Sequence, residues 1–150
     1  MKSISQNKLI FFLKKYILVG LLLFTSTFIE IYWAVGKFSK NISSGCMDCS
    51  FIEEAILMSL LTTFFLTFLF LALSLIKNLY LKRTIELIIL ILVWLFWNHT
   101  VFVDRESSWS TYTFKEELFY TFSNSILPVL VVSTVTIIAL NYISKSHEPN

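Results

Sequence analysis

The sequence predicts an all-α protein, a four-helix bundle integral to the membrane, with its N- and C-terminus both cytoplasmic. Three observations predict it. Apolar residues make up 56% of the chain and charged ones only 15%, a balance far from that of a soluble domain. The charges are grouped, leaving nearly uncharged stretches at 16–35, 55–76, 87–102 and 119–143, each approaching or exceeding the roughly 20 residues that cross about 30 Å of hydrocarbon. These stretches also lack the period-2 alternation of barrel strands, so their backbone polar groups must be satisfied within helices.

The first span follows Lys14 and Lys15 as a secretory signal would, yet Ala34 and Gly36 make a poor cleavage site and Glu30 interrupts the run. That pattern marks a retained signal-anchor helix. The second span is entered through Ser50-Phe51-Ile52-Glu53, a capping box in which hydroxyl and carboxylate satisfy the free N–H groups of a helix start. A short connection at 77–83 leads to the third span, so these two are expected to be antiparallel neighbours, with Thr84 as N-cap. The fourth span follows a second box, Thr113-Phe114-Lys115-Glu116. A helix from there to Ile143 would rise about 45 Å, so a tilt or bend is expected. Pro128 is the place for it, with Ser123 or Ser125 re-satisfying the backbone near the freed carbonyl of Asn124. The whole of 1–150 reads as a single polytopic membrane domain without internal repeats.

An even number of spans puts Lys2, Lys8, Lys14, Lys15, Lys77, Lys82, Arg83 and Lys145 on one side and Lys37, Lys40, Arg105 and Lys115 on the other. The positive-inside bias places the first group in the cytoplasm. Trp33, Trp94, Trp97 and Trp109 then fall at or beyond the outer boundary, and Tyr16, Tyr80 and Tyr142 at the inner one, as aromatic belts require.

Cys46 and Cys49 form a C-x-x-C pair in the first outer loop, a spacing that suits a disulfide or half of a zinc site. An oxidising compartment favours the disulfide. Zinc would need two more ligands, and His99 and His147 lie on opposite sides, so no metal is expected. A structural staple is preferred to a catalytic role. The pair stands at the start of the second helix of a small four-span protein, and there the chain partly resembles the disulfide-forming membrane oxidoreductases of the DsbB type. The resemblance implies thiol–disulfide exchange with quinone as electron acceptor. It covers one motif and the general topology. The second outer loop has no cysteine pair, and Glu53 and Glu54 follow Cys49 where that family keeps an Arg.

Glu30 is an acid well within a span, read as a carboxylate hydrogen-bonded or paired near the interface, with an ion or proton site as the alternative. Asn98, His99, Asp104 and Arg105 are placed at the outer mouth of the third helix, His99 as an interface residue or partner of a nearby acid. Ser59, Thr63 and Thr67 recur every four residues along the second helix. Such hydroxyls line a polar path in some bundles, but back-bonding and close helix packing are preferred here. No hydrolase, zinc-protease, P-loop or dinucleotide fingerprint appears.

The favoured reading is a small non-enzymatic protein of the cell membrane, most naturally a bacterial inner membrane, that binds another membrane-embedded protein or itself as a homo-oligomer. In size and topology it is similar to four-helix immunity proteins that oppose pore-forming bacteriocins. Neither cofactor nor nucleic acid is expected. The alternatives are a thiol oxidoreductase using Cys46, Cys49 and quinone, and an ion-conducting or effector bundle built around Glu30.

Overall fold

The computed structural model describes the backbone of residues 2–74 and 76–146 and the side chains of 13–74 and 76–144. His147 and the side chains of Lys2, Lys8 and Lys145 lie outside the described residues. Every regular element among them is helical: α1 (Lys2–Val35), α2 (Phe51–Leu73), α3 (Leu79–Arg105) and α4 (Phe114–Ser146), with 3-10 turns at Gly36–Phe38 and Ser107–Trp109. All four α-helices are long and apolar enough to cross a membrane.

Helix starts follow local chemistry. Ser50 caps α2, its Oγ accepting from the Glu53 N–H at 3.2 Å while the Glu53 carboxylate accepts from the Ser50 N–H at 3.0 Å. Thr113 and Glu116 form the corresponding pair before α4, the Thr113 N–H donating to the Glu116 carboxylate at 2.8 Å. Thr84 is not the cap of α3. The helix begins at Leu79, and the Asn78 side chain accepts from the Leu81 N–H at 3.2 Å, an Asx cap that starts the helix before the apolar run does. Thr84 donates to the Tyr80 carbonyl instead. α4 is one continuous helix of 33 residues including Pro128, rising about 50 Å. Neither serine performs the expected repair. Ser123 is exposed, and the Ser125 hydroxyl is buried without a partner.

α1 packs extensively on α2 and α4 and along one line on α3, while α3 packs chiefly on α4. α2 and α3 are consecutive yet touch little, so the expected close pairing gives way to α1 as the shared neighbour. Two polar links cross the α2–α3 seam: Trp97 Nε1 donates to Thr62 Oγ1 at 2.7 Å at the middle of α2, and Arg105 bonds Glu54 in the first turn of that helix. The core has two levels. Leu23, Leu66, Phe70, Leu90, Trp94 and Val129 fill one, and Ile31, Ala34, Val35, Phe51, Ala55 and Val101 the other, nearer the loops. Trp94 is thus a core residue and not a belt residue: it is fully buried, and its Nε1 donates to Thr27 Oγ1 at 3.0 Å. Tertiary packing overrides the interface preference where an indole finds both an apolar wall and a hydroxyl. Phe64, Phe68, Leu92, Leu127 and Ile138 face outward, the apolar surface a bilayer solvates.

Candidate functional site

The sequence-selected residues fall into two layers at the end of the bundle that carries the 39–50 and 106–113 loops. The outer layer is a cap. Cys46 and Cys49 are joined by a disulfide, and the Cys46 N–H donates to Ser43 Oγ at 3.1 Å. Three consecutive charged residues at the end of α3 hold the loop in place. Asp104 accepts from Ser44 Oγ and the Gly45 N–H, each at 2.8 Å. Glu106 accepts from Asn41 Nδ2 at 2.7 Å. Arg105, 2% exposed, donates from Nη1 to the Asn41 carbonyl at 2.6 Å, from Nη2 to the Cys49 carbonyl at 3.3 Å, and from Nε and Nη2 to Glu54 Oε2 at 3.0 and 2.8 Å. Its face lies 5.5 Å from the Phe51 ring centroid. A planar guanidinium with five donors can serve this fan of acceptors, where an ammonium cannot.

The second loop is tied down as well. Ser107 donates to the Glu117 carboxylate, and Trp109 Nε1 donates to the Ile42 carbonyl at 2.9 Å. Tyr112 packs tilted against Phe102 and edge-on against Tyr120. Its phenol is pushed above the ordinary tyrosine value by desolvation first, then by Glu106, Tyr120 and Glu116. On this fixed backbone Met47 (74% exposed), Ile42 and Trp109 stand out into the surroundings. Beside them a shallow hollow of about 320 Å³ is lined by Lys40, Ile42, Glu106 and Trp109 among others.

The inner layer is polar and buried. Glu30 and Asn98 are both 0% exposed, and Asn98 Nδ2 donates to Glu30 Oε1 at 2.8 Å. Asn98 therefore leaves the expected mouth and joins α3 to α1 inside the bundle. Glu30 does not reach the interface, and no cation pairs with it among the described residues. Among the described residues Glu30 Oε2 and Asn98 Oδ1 have no hydrogen-bond partner, nor do the buried hydroxyls of Thr121 and Ser125 on α4. Phe102 stacking on Tyr120 sets α3 and α4 in a register that brings residues 121–125 to this depth. His99 is not part of the layer. It packs edge-on against Phe114 with ring centroids 6.3 Å apart, and its Nε2 is unpartnered.

On α2, Ser59 and Thr67 are buried toward the bundle and donate to the Ala55 and Thr63 carbonyls at 2.7 and 2.6 Å. The Thr63 hydroxyl has no partner. Among the described residues no three His, Cys, Asp or Glu side chains gather as a metal site would require. Two assemblies escape a reading of the sequence: the hub formed by Arg105, and Glu86, buried between Arg83 Nη1 at 2.6 Å and Lys82 Nζ at 3.9 Å. The signal for the second is i,i+3 and i,i+4 spacing to two cations. For the first it is an Arg at the very end of an apolar helix, opposite a cysteine loop. No protein-family model matches the chain, and no curated protein or solved structure matches it.

Proposed function

We propose that the chain is a non-enzymatic, multi-pass inner-membrane protein that recognises another membrane-embedded protein through its loop-end cap, in the manner of an accessory or immunity-type protein. In this reading the cap faces outward and both termini lie in the cytoplasm. By sequence the terminal side carries Lys2, Lys8, Lys14, Lys15, Lys77, Lys82, Arg83 and Lys145 and the cap side Lys37, Lys40, Arg105 and Lys115, a bias that supports that orientation.

The single observation that carries the reading is the pinned cap. Disulfide, Arg105 and Asp104 fix the loop backbone, and the fixed loop offers Ile42, Met47 and Trp109 to a partner. A preorganised surface with exposed Met and Trp anchors suits recognition, because little ordering entropy remains to be lost on docking. The test is a photo-crosslinking residue at Met47 or Trp109 in intact cells, with lipid-facing Phe68 as control. Discrete, position-dependent adducts at the cap are expected. Their absence at both cap positions removes the reading.

One observation favours thiol exchange as the second reading: both cysteines are only half-buried beside exposed Met47 and Asp48. Trapping a mixed disulfide on Cys46→Ser or Cys49→Ser, with turnover dependent on quinone, would establish it. An unchanged cellular phenotype in Cys46→Ser/Cys49→Ser would exclude it.

A further inference from the structure

The α2–α3 seam is bridged at mid-helix by Trp97–Thr62 and at the cap by Arg105–Glu54. At the opposite end, where α2 stops and α3 starts, it stands open as a cavity of about 210 Å³ reached by all four helices. Its lining falls into two parts. Val19, Phe70, Leu71 and Leu140 give apolar walls, and among the described residues Lys15, Lys82 and Arg83 give three cations against the single carboxylate of Glu86. Those cations are incompletely used. Arg83 donates from Nη1 to Glu86 at 2.6 Å and from Nη2 to Asn141 at 3.5 Å, but its Nε is buried with no partner among the described residues. Lys82 approaches Glu86 no closer than 3.9 Å, beyond hydrogen-bond range. Lys15 has no ion pair among the described residues.

We infer that this cavity binds an anionic phospholipid of the adjoining leaflet, its phosphate held by Lys15, Lys82 and Arg83 and the start of an acyl chain laid against Val19, Phe70 and Leu71. The charge balance calls for an anion, and the unpartnered Arg83 Nε calls for an acceptor oxygen, which phosphate supplies with geometry suited to a guanidinium. The apolar half gives a soluble anion nothing, whereas it solvates methylenes. The cavity also lies where the basic and aromatic residues Lys15, Tyr16 and Lys82 end their apolar runs, the depth at which headgroups sit, and basic pockets between membrane helices select such lipids. This site is separate from the cap, and it stands whether or not the cap binds a protein.

The test is native mass spectrometry of the purified full-length chain released from micelles holding equimolar phosphatidylglycerol and phosphatidylcholine. A retained phosphatidylglycerol adduct is expected. Lys15→Gln, which breaks no internal ion pair, should reduce it about fivefold, and Val19→Phe, which fills the apolar half and leaves the charges untouched, should reduce it as well. Lys40→Gln, at the other end, should leave it unchanged. Equal retention of the two lipids, or full retention by both Lys15→Gln and Val19→Phe in protein with unchanged melting, would overturn the proposal. So would displacement of the lipid by millimolar inorganic phosphate alone, since the site would then be one for a soluble anion.

Discussion

Replacing Arg105 by Ala removes two hydrogen bonds to the Glu54 carboxylate and two to loop carbonyls, at Asn41 and Cys49. Breaking a buried ion pair by deleting one partner typically costs about 3–5 kcal/mol, because the other charge is left uncompensated. The Glu54 side chain is 19% exposed, so water reaches it after the deletion and the expected loss is at the lower end, about 3 kcal/mol. Arg105→Lys keeps a charge near Glu54 but cannot span Asn41 and Cys49 together, and loses about 1–2 kcal/mol. Glu54→Ala/Arg105→Ala should be no less stable than Arg105→Ala alone, because the carboxylate left behind is what costs most. The assay is unfolding of the purified protein by SDS in mixed micelles, followed by tryptophan fluorescence. A second readout is the rate at which a water-soluble phosphine reduces Cys46–Cys49. A loop released from α3 should be reduced severalfold faster. A loss under about 1 kcal/mol with an unchanged reduction rate would refute the view that Arg105 organises the cap.

Three further outcomes are expected. Cys46→Ser/Cys49→Ser opens the small ring that the disulfide closes and should cost no more than about 2 kcal/mol, less than Arg105→Ala in the same SDS titration; the reverse order would make the disulfide the main fastening. Asn98→Ala leaves Glu30 with no hydrogen bond and should lose about 1–2 kcal/mol, whereas Glu30→Gln keeps an acceptor for Asn98 Nδ2 and should lose less, as a double-mutant cycle would report. Ser50→Ala removes half of the capping box and should destabilise by about 1 kcal/mol, with faster amide exchange confined to the first turn of α2.

Four membrane-length helices were readable because hydrocarbon imposes length and apolarity on each span separately. The capping pairs Ser50–Glu53 and Thr113–Glu116, and the Cys46–Cys49 bond, were readable for the same reason: each needs residues only three apart. What escaped depends on which face of a helix meets which neighbour. The aromatic-belt rule assigns Trp94 a depth and is blind to rotation about the helix axis, so it could not turn that indole toward Thr27. Glu30 finds its partner 68 residues away in Asn98, a pairing no local spacing announces. Asn78 displaced Thr84 because a cap acts before the apolar periodicity begins. Arg105 gathers acceptors from the 39–50 loop and the first turn of α2, both far from it in sequence.

α1 is synthesised before α2, α3 and α4 and yet holds the residues that the later helices need. During synthesis its inward stripe of Leu23, Thr27, Glu30 and Ile31 is complete long before Trp94 and Asn98 exist to bond Thr27 and Glu30. For most of that interval a carboxylate and a hydroxyl have no lasting partner in the lipid. The polar contacts that define the finished bundle are therefore a burden on the nascent one until α3 is in place.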